Sequence, residues 1–112
     1  MRRINKYHNV KVNFEGMKFD SKKELNRFLE LRILLNEGVI KDLRRQEKFI
    51  IVPKIGKNKR ERFYIADFTY IDESGRKVIE DVKSEITKKN PVYSLKKSLI
   101  LAYYSDYIFK EV

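Results

Sequence analysis

Residues 63–84 read FYIADFTYIDESGRKVIEDVKS, and the fold turns on how this stretch pairs with itself. Its first part alternates as a strand does. Phe63, Ile65, Asp67 and Thr69 fall on one face, and Tyr64, Ala66, Phe68 and Tyr70 on the other. The segment DESG at 72–75 is a turn signal. The chain then returns through RKVIEDVKS, most simply antiparallel to the first strand. In the returning strand Ile79, Asp81 and Lys83 share a face, and Val78, Glu80 and Val82 share the other. This pairing brings Asp67 near Asp81 at the end away from the turn.

A carboxylate in an apolar strand is costly unless it is paired, hydrogen-bonded or bound to a cation. Two converging carboxylates repel unless one is protonated or a cation bridges them. Hard oxygen ligands suit Mg²⁺, with Mn²⁺ as a substitute. Lys83, two residues past Asp81, could orient an attacking water or stabilise charge developing on a phosphate. Such a set suits hydrolysis of a polyanionic backbone. The competing reading makes Asp67 an edge-strand or turn-capping residue, and Asp81 with Lys83 a half-exposed ion pair to which Glu80 could also belong. Glu24 is a candidate third ligand. It also stands three residues after Ser21, the spacing of a capping box, and a carboxylate turned back to the cap is not free for metal.

Outward from the central hairpin, VKVNFEGMKFD at 10–20 alternates around Gly16 and predicts a short N-terminal hairpin. DSKKELNRFLELRILLNEG predicts a helix opened by Ser21 and stopped by Gly38. VIKDLRRQEKFIIVP predicts a turn or short strand near 40–43, then a strand over 47–52. KIGKNKR is a basic loop, and Asn90 with Pro91 opens a second helix. Val92, Leu95, Leu99 and Ala102 or Tyr103 mark that helix's expected apolar side. SDYIFKEV closes the chain as a strand, expected parallel to a sheet neighbour. The order predicts one α/β domain over residues 1–112, a mixed sheet flanked by helices, with residues 1–9 a flexible basic arm.

The chain of 112 residues carries 26 Lys and Arg against 16 Asp and Glu, a formal charge of +10, which favours a polyanionic partner. Candidate backbone contacts are Arg2, Arg3, Lys6 and His8 in the arm, Lys57, Lys59 and Arg60 in the basic loop, and Lys22, Lys88, Lys89, Lys96 and Lys97 around the helices. The bland alternative is a solvated surface, with His8 an arm residue and not a ligand. Tyr7 and Tyr93 are candidates for stacking on bases or for packing. The chain has no cysteine, which excludes disulfides and thiolate metal sites. No apolar run is long enough for a membrane span, so a cytoplasmic protein without a membrane partner is expected.

YIADF followed by IEDVK resembles the core motif of the PD-(D/E)XK nuclease superfamily. From KYHN and GMKFDSKKE through LRRQEKFII to DYIFKEV, nearly the whole chain resembles small phage-encoded nucleases of that type, related to Holliday junction resolvases. The resemblance implies a restriction-endonuclease-like αβββαβ core. It implies that Glu24, Asp67 and Asp81 hold Mg²⁺, that Lys83 is the motif lysine, and that Gln46 stands near the active site. It further implies structure-specific cutting of branched DNA by a homodimer, whose interface is expected at the first helix or the N-terminal hairpin. In a phage setting this would take place in the host cytoplasm. Alternatives are an inactive nucleic-acid-binding protein on the same fold, or a structural, partner-binding protein. Ala66 stands where the superfamily's naming proline would be. Strand parity favours Asp81 over Glu80 as the second motif acid, because only Asp81 shares a face with Lys83.

Overall fold

A computed structural model describes residues 10–52 and 60–112. The arm carrying Arg2, Arg3, Lys6, Tyr7 and His8, and the loop positions Lys57 and Lys59, lie outside the described residues. The chain begins with β1 (Val12–Phe14) and β2 (Met17–Phe19), an antiparallel hairpin. Its two-residue turn places Glu15 at φ 50° and Gly16 at φ 77°. Two consecutive positive φ values match the twist of the flanking strands.

Helix α1 (Lys22–Asn36) starts where expected: Ser21 Oγ accepts the Glu24 N–H at 3.1 Å. It ends in a glycine stop. Gly38, at φ 76°, donates to Leu35 O, and Val39 donates to Leu34 O at 2.9 Å. Next come β3 (Lys41–Val52), β4 (Arg62–Ile71) and β5 (Lys77–Asp81), a short helix α2 (Glu85–Lys88), helix α3 (Pro91–Tyr103) and β6 (Ile108–Glu111). The second sheet has the order β3-β4-β5-β6, antiparallel except for the parallel β5–β6 pair. Helix α1 and the hairpin cover one side through Phe19, Phe28, Leu31, Phe68 and Val78. Helix α3 covers the other through Tyr93 and Ile100 against Phe49, Tyr64, Ala66 and Ile79. This is the expected restriction-endonuclease-like core. Among the described residues no helix is long and apolar enough to cross a membrane.

Three local expectations need correction. Strand β3 is one strand of 12 residues, not a turn or short strand followed by a separate strand. As a sheet edge it carries its many charges into solvent, which an edge strand tolerates and uses against self-pairing. On α3, Val92, Leu95 and Tyr103 are exposed, while Tyr93 and Ile100 face the sheet. Tyr93 is seated there because its hydroxyl donates to Glu111 Oε2 at 2.7 Å, and Lys97 Nζ also reaches Glu111. The stems of such side chains bury while their polar ends find partners.

The third correction concerns β4. Tyr64 and Ala66 pack with α3, but Phe68 and Tyr70 pack with α1, so the buried face changes across Asp67. An irregularity lies opposite. The ladder runs Glu47↔Ala66 and Arg45↔Phe68, and between them Gln46 turns to φ 56°. A left-handed glutamine breaks the two-residue period that sequence parity assumes, at a cost of about 1 kcal/mol.

Candidate active site

Helix α1 begins over the ends of β4 and β5 that lie away from their turn. The last pair of that ladder is Phe68↔Glu80, and one step beyond it stand Asp67 and Asp81. Each carboxylate accepts a backbone N–H from the other's segment. Asp81 Oδ1 takes the Asp67 N–H at 2.9 Å, and Asp67 Oδ2 takes the Val82 N–H at 2.8 Å. Both are buried, Asp67 at 8% exposure and Asp81 at 0%. Burial raises both pKa values above the ordinary aspartate range, with Lys83 as the main opposing charge. The far side of β5 secures the same segment. Val112 N–H donates to Asp81 O at 2.8 Å, and Lys83 N–H donates to Val112 O at 3.2 Å.

A cleft of about 180 Å³ opens beside these strand ends, lined by Asp20, Lys23, Glu24, Asp67, Lys83 and Thr87 among others. Glu24 is 2% exposed, and both oxygens of its carboxylate accept hydrogen bonds. Oε2 accepts the Asp20 N–H at 3.0 Å, just ahead of the helix cap. Oε1 accepts Gln46 Nε2 at 3.3 Å. The left-handed turn at Gln46 therefore lies where its amide meets the site. Burial, and next the charge of Asp67, push Glu24 up to about 7, against the help of the Asp20 N–H. Lys23 Nζ donates to Lys83 O at 3.1 Å. Among the described residues no carboxylate lies within salt-bridge distance of Lys83 Nζ, which sits 5.3 Å from the centre of the Tyr93 ring.

The structure thus gathers Glu24, Asp67 and Lys83 at one cleft, while Gln46, bonded to Glu24, and Asp81, bonded to the Asp67 N–H, do not line it. Glu80 is excluded from the site. Fully buried on the α1 side, it accepts Arg27 Nε at 2.6 Å, Arg27 Nη2 at 2.8 Å and Tyr70 OH at 2.8 Å. The sequence reading missed Asp20, Lys23 and Thr87. Asp20 immediately before the Ser21 cap was the available signal, since the cap places its neighbours at the helix mouth.

Of the basic residues proposed to meet phosphates, Lys22, Lys89 and Lys96 are exposed, as is Arg60. Lys88 pairs with Glu85 at 3.3 Å, and Lys97 is drawn to Glu111. Among the described residues no three His, Cys, Asp or Glu side chains form a group that could hold a metal ion as they stand. The chemistry of the donors nevertheless fits a hard cation. Asp81 Oδ2 is a buried acceptor with no hydrogen-bond donor, and an unpaired buried carboxylate oxygen is costly.

The raised acids have a consequence for stability. Between pH 4.5, the ordinary value, and about 7, folded Glu24 holds a proton that the unfolded chain has lost. Stability therefore falls as pH rises through that window, and Asp67 and Asp81 act in the same direction. Glu24→Gln keeps the shape without the charge. In the absence of metal it is expected to stabilise the protein on the order of 2 kcal/mol at pH 8, shrinking to a few tenths near pH 4.5. Thermal melts at the two pH values check this, and a difference independent of pH would remove the charge of Glu24 as its cause.

A protein family described as "Protein of unknown function (DUF1064)" matches residues 4–110. Neither a curated protein nor a solved structure matches the chain.

Proposed function

We propose, for a chain that belongs to the DUF1064 family of proteins of unknown function, a divalent-metal-dependent endonuclease that hydrolyses phosphodiester bonds in DNA, with branched DNA as the preferred substrate. The observation that carries this reading is the single cleft joining Glu24 and Asp67 to Lys83 and Lys23, on a chain of formal charge +10.

Glu24, Asp67 and Asp81 would hold Mg²⁺, or Mn²⁺ in its place. Bound there, such an ion would offset the charge of the phosphate and lower the pKa of a water. Lys83 presents its ammonium group to the attacking water and to the phosphate oxygen on which charge develops. Gln46 fixes one oxygen of Glu24, and the Asp20 N–H fixes the other. The two hydrogen bonds from the Asp67 N–H to Asp81 and from the Val82 N–H to Asp67 set the spacing of the two strand ends. Exposed Lys22, Lys89 and Lys96 would contact phosphates and so position the DNA without selecting bases. A two-fold dimer would place two such clefts for paired cuts.

A second reading has its own support. Exposed Lys22, Lys89 and Lys96 need no metal to meet phosphates, which suits equally a protein that binds nucleic acid on this fold without cutting it. One experiment separates the two. A four-way junction and a linear duplex are incubated with the protein in Mg²⁺, Mn²⁺ or EDTA, and affinity is measured across salt concentrations. The nuclease reading expects metal-dependent cuts, concentrated on the junction. Both readings expect affinity to fall steeply with salt, by a log–log slope of roughly −0.9 per phosphate contact. Binding with no cut under either metal would leave the second reading standing.

A further inference from the structure

Beyond Lys83 the cleft adjoins a second, larger hollow of about 400 Å³. Lys83 and Thr87 line both. The second hollow is of a different character. Its walls include Phe63, Ile65, Val92 and Tyr93, its charged groups are Lys83 and Lys96, and no carboxylate lines it. Phe63, Ile65 and Val92 are exposed at 37%, 48% and 62%. A contiguous apolar patch left open to water is the mark of a binding surface. Tyr93 makes one wall rigid, because its hydroxyl is held by Glu111.

Apolar and aromatic walls with a cationic rim match a nucleotide: a flat base with a phosphate attached. The position selects which nucleotide. Lys83 stands between the two cavities, so a phosphate at its ammonium group would have its own base on the apolar side. We propose that this hollow takes an unstacked base next to the bond cut in the cleft. The substrate is then a nucleic acid with an unpaired nucleotide at the point of cleavage, such as a gap, flap or opened junction, and not continuous duplex. The inference rests on the reading of the cleft as a nuclease site.

The test uses full-length protein in EDTA, so that nothing is cut. Its probes are two oligonucleotide duplexes of one sequence, one continuous and one with a single-stranded gap carrying 2-aminopurine. Wild type is expected to bind the gapped probe at least tenfold more tightly and to change the 2-aminopurine emission. Val92→Asp puts a negative charge on the apolar wall. An acid in the first turn of α3 favours the helix, so folding is retained. Ile65→Ser, at an exposed strand position, is a second, uncharged probe. Both variants should bring the ratio of gapped to continuous affinity close to one, losing roughly 5- to 100-fold in preference.

Equal binding of both probes by wild type, or an unchanged preference in both variants, overturns the proposal. So does a wild-type dimer that Val92→Asp dissociates with the preference intact, which would make the hollow an interface between two copies. If wild type binds neither probe, the base pocket is lost, and the nuclease reading fails with it if no cut appears when Mg²⁺ is added. If it binds both equally and cuts DNA when Mg²⁺ is added, only the base pocket is lost.

Discussion

Asp67→Asn and Lys83→Ala are expected to bind a four-way junction as wild type does and to leave it uncut, with cleavage in Mg²⁺ reduced by about 10²–10⁴-fold or more. The reason is local. Asn at 67 can still accept the Val82 N–H through its carbonyl oxygen, so the contact between the strand ends survives. It cannot supply a carboxylate to a cation. Removing a buried charge whose pKa is raised by desolvation also makes the metal-free protein more stable at pH 8. Asp67→Asn should therefore melt higher than wild type while losing its cut. A merely structural aspartate would give the opposite pattern, with lower stability and activity falling only in proportion to unfolding. Lys83→Ala has no ion pair to break, because no described carboxylate lies within reach of Nζ. The Lys83 ammonium group is nevertheless the main charge offsetting buried Asp67 and Asp81, so the loss of cutting should come with a modestly lower melting temperature at pH 8. Gel assays of cut product and thermal melts of both variants check the result, and wild-type cleavage by either would remove that residue from the site.

The largest loss of stability is expected at the neighbouring acid, not at the site. Glu80→Ala leaves the Arg27 guanidinium without its bidentate partner and the Tyr70 hydroxyl without its acceptor, all against the α1 core. Breaking a buried pair from one side costs about 3–5 kcal/mol. Arg27 remains partly exposed and keeps Glu30 at 2.9 Å, so the lower end of that range applies. Against a total of about 5–15 kcal/mol for a domain, this is a large share. Urea titration should show an earlier midpoint with an unchanged slope. Glu80→Gln, which keeps the shape and can still accept from Tyr70, should lose less than half as much. If Glu80→Ala were as stable as wild type, the network would contribute nothing, and the separation of Glu80 from Asp81 would rest on parity alone.

Much of this architecture could be read from local signals that agree with one another. Ser21 and Gly38 bound α1, Asn90 and Pro91 open α3, and Glu15–Gly16 turns the first hairpin. The choice of Asp81 over Glu80 followed from alternation along β5, which the strand keeps. The same rule failed in β4 at Asp67, opposite which one residue of the partner strand leaves the extended region. Nothing in the letters LRRQEKF says that Gln46 has positive φ. The exposed face of α3 was misread for a different reason. Counting Val92 and Leu95 as core ignored the apolar bodies of Tyr93 and Lys97, whose polar ends share Glu111. Glu24 was legible as a residue with two candidate roles. Its spacing could not reveal that its two oxygens would accept from the Asp20 N–H and the Gln46 amide.

The bond pair from Val112 to Asp81 and Lys83 bears on when the site can come into being. Strand β6 is parallel to β5, so a crossover through α2 and α3 separates the acid and lysine from the backbone that holds them. During synthesis, residues 81–83 emerge well before 108–112 and until then have an open edge on that side. Closure over so long a loop is slow compared with forming a hairpin or a helix. A growing chain would therefore complete its hairpin and α1 before the cleft, whose segment 81–83 waits for β6 to dock.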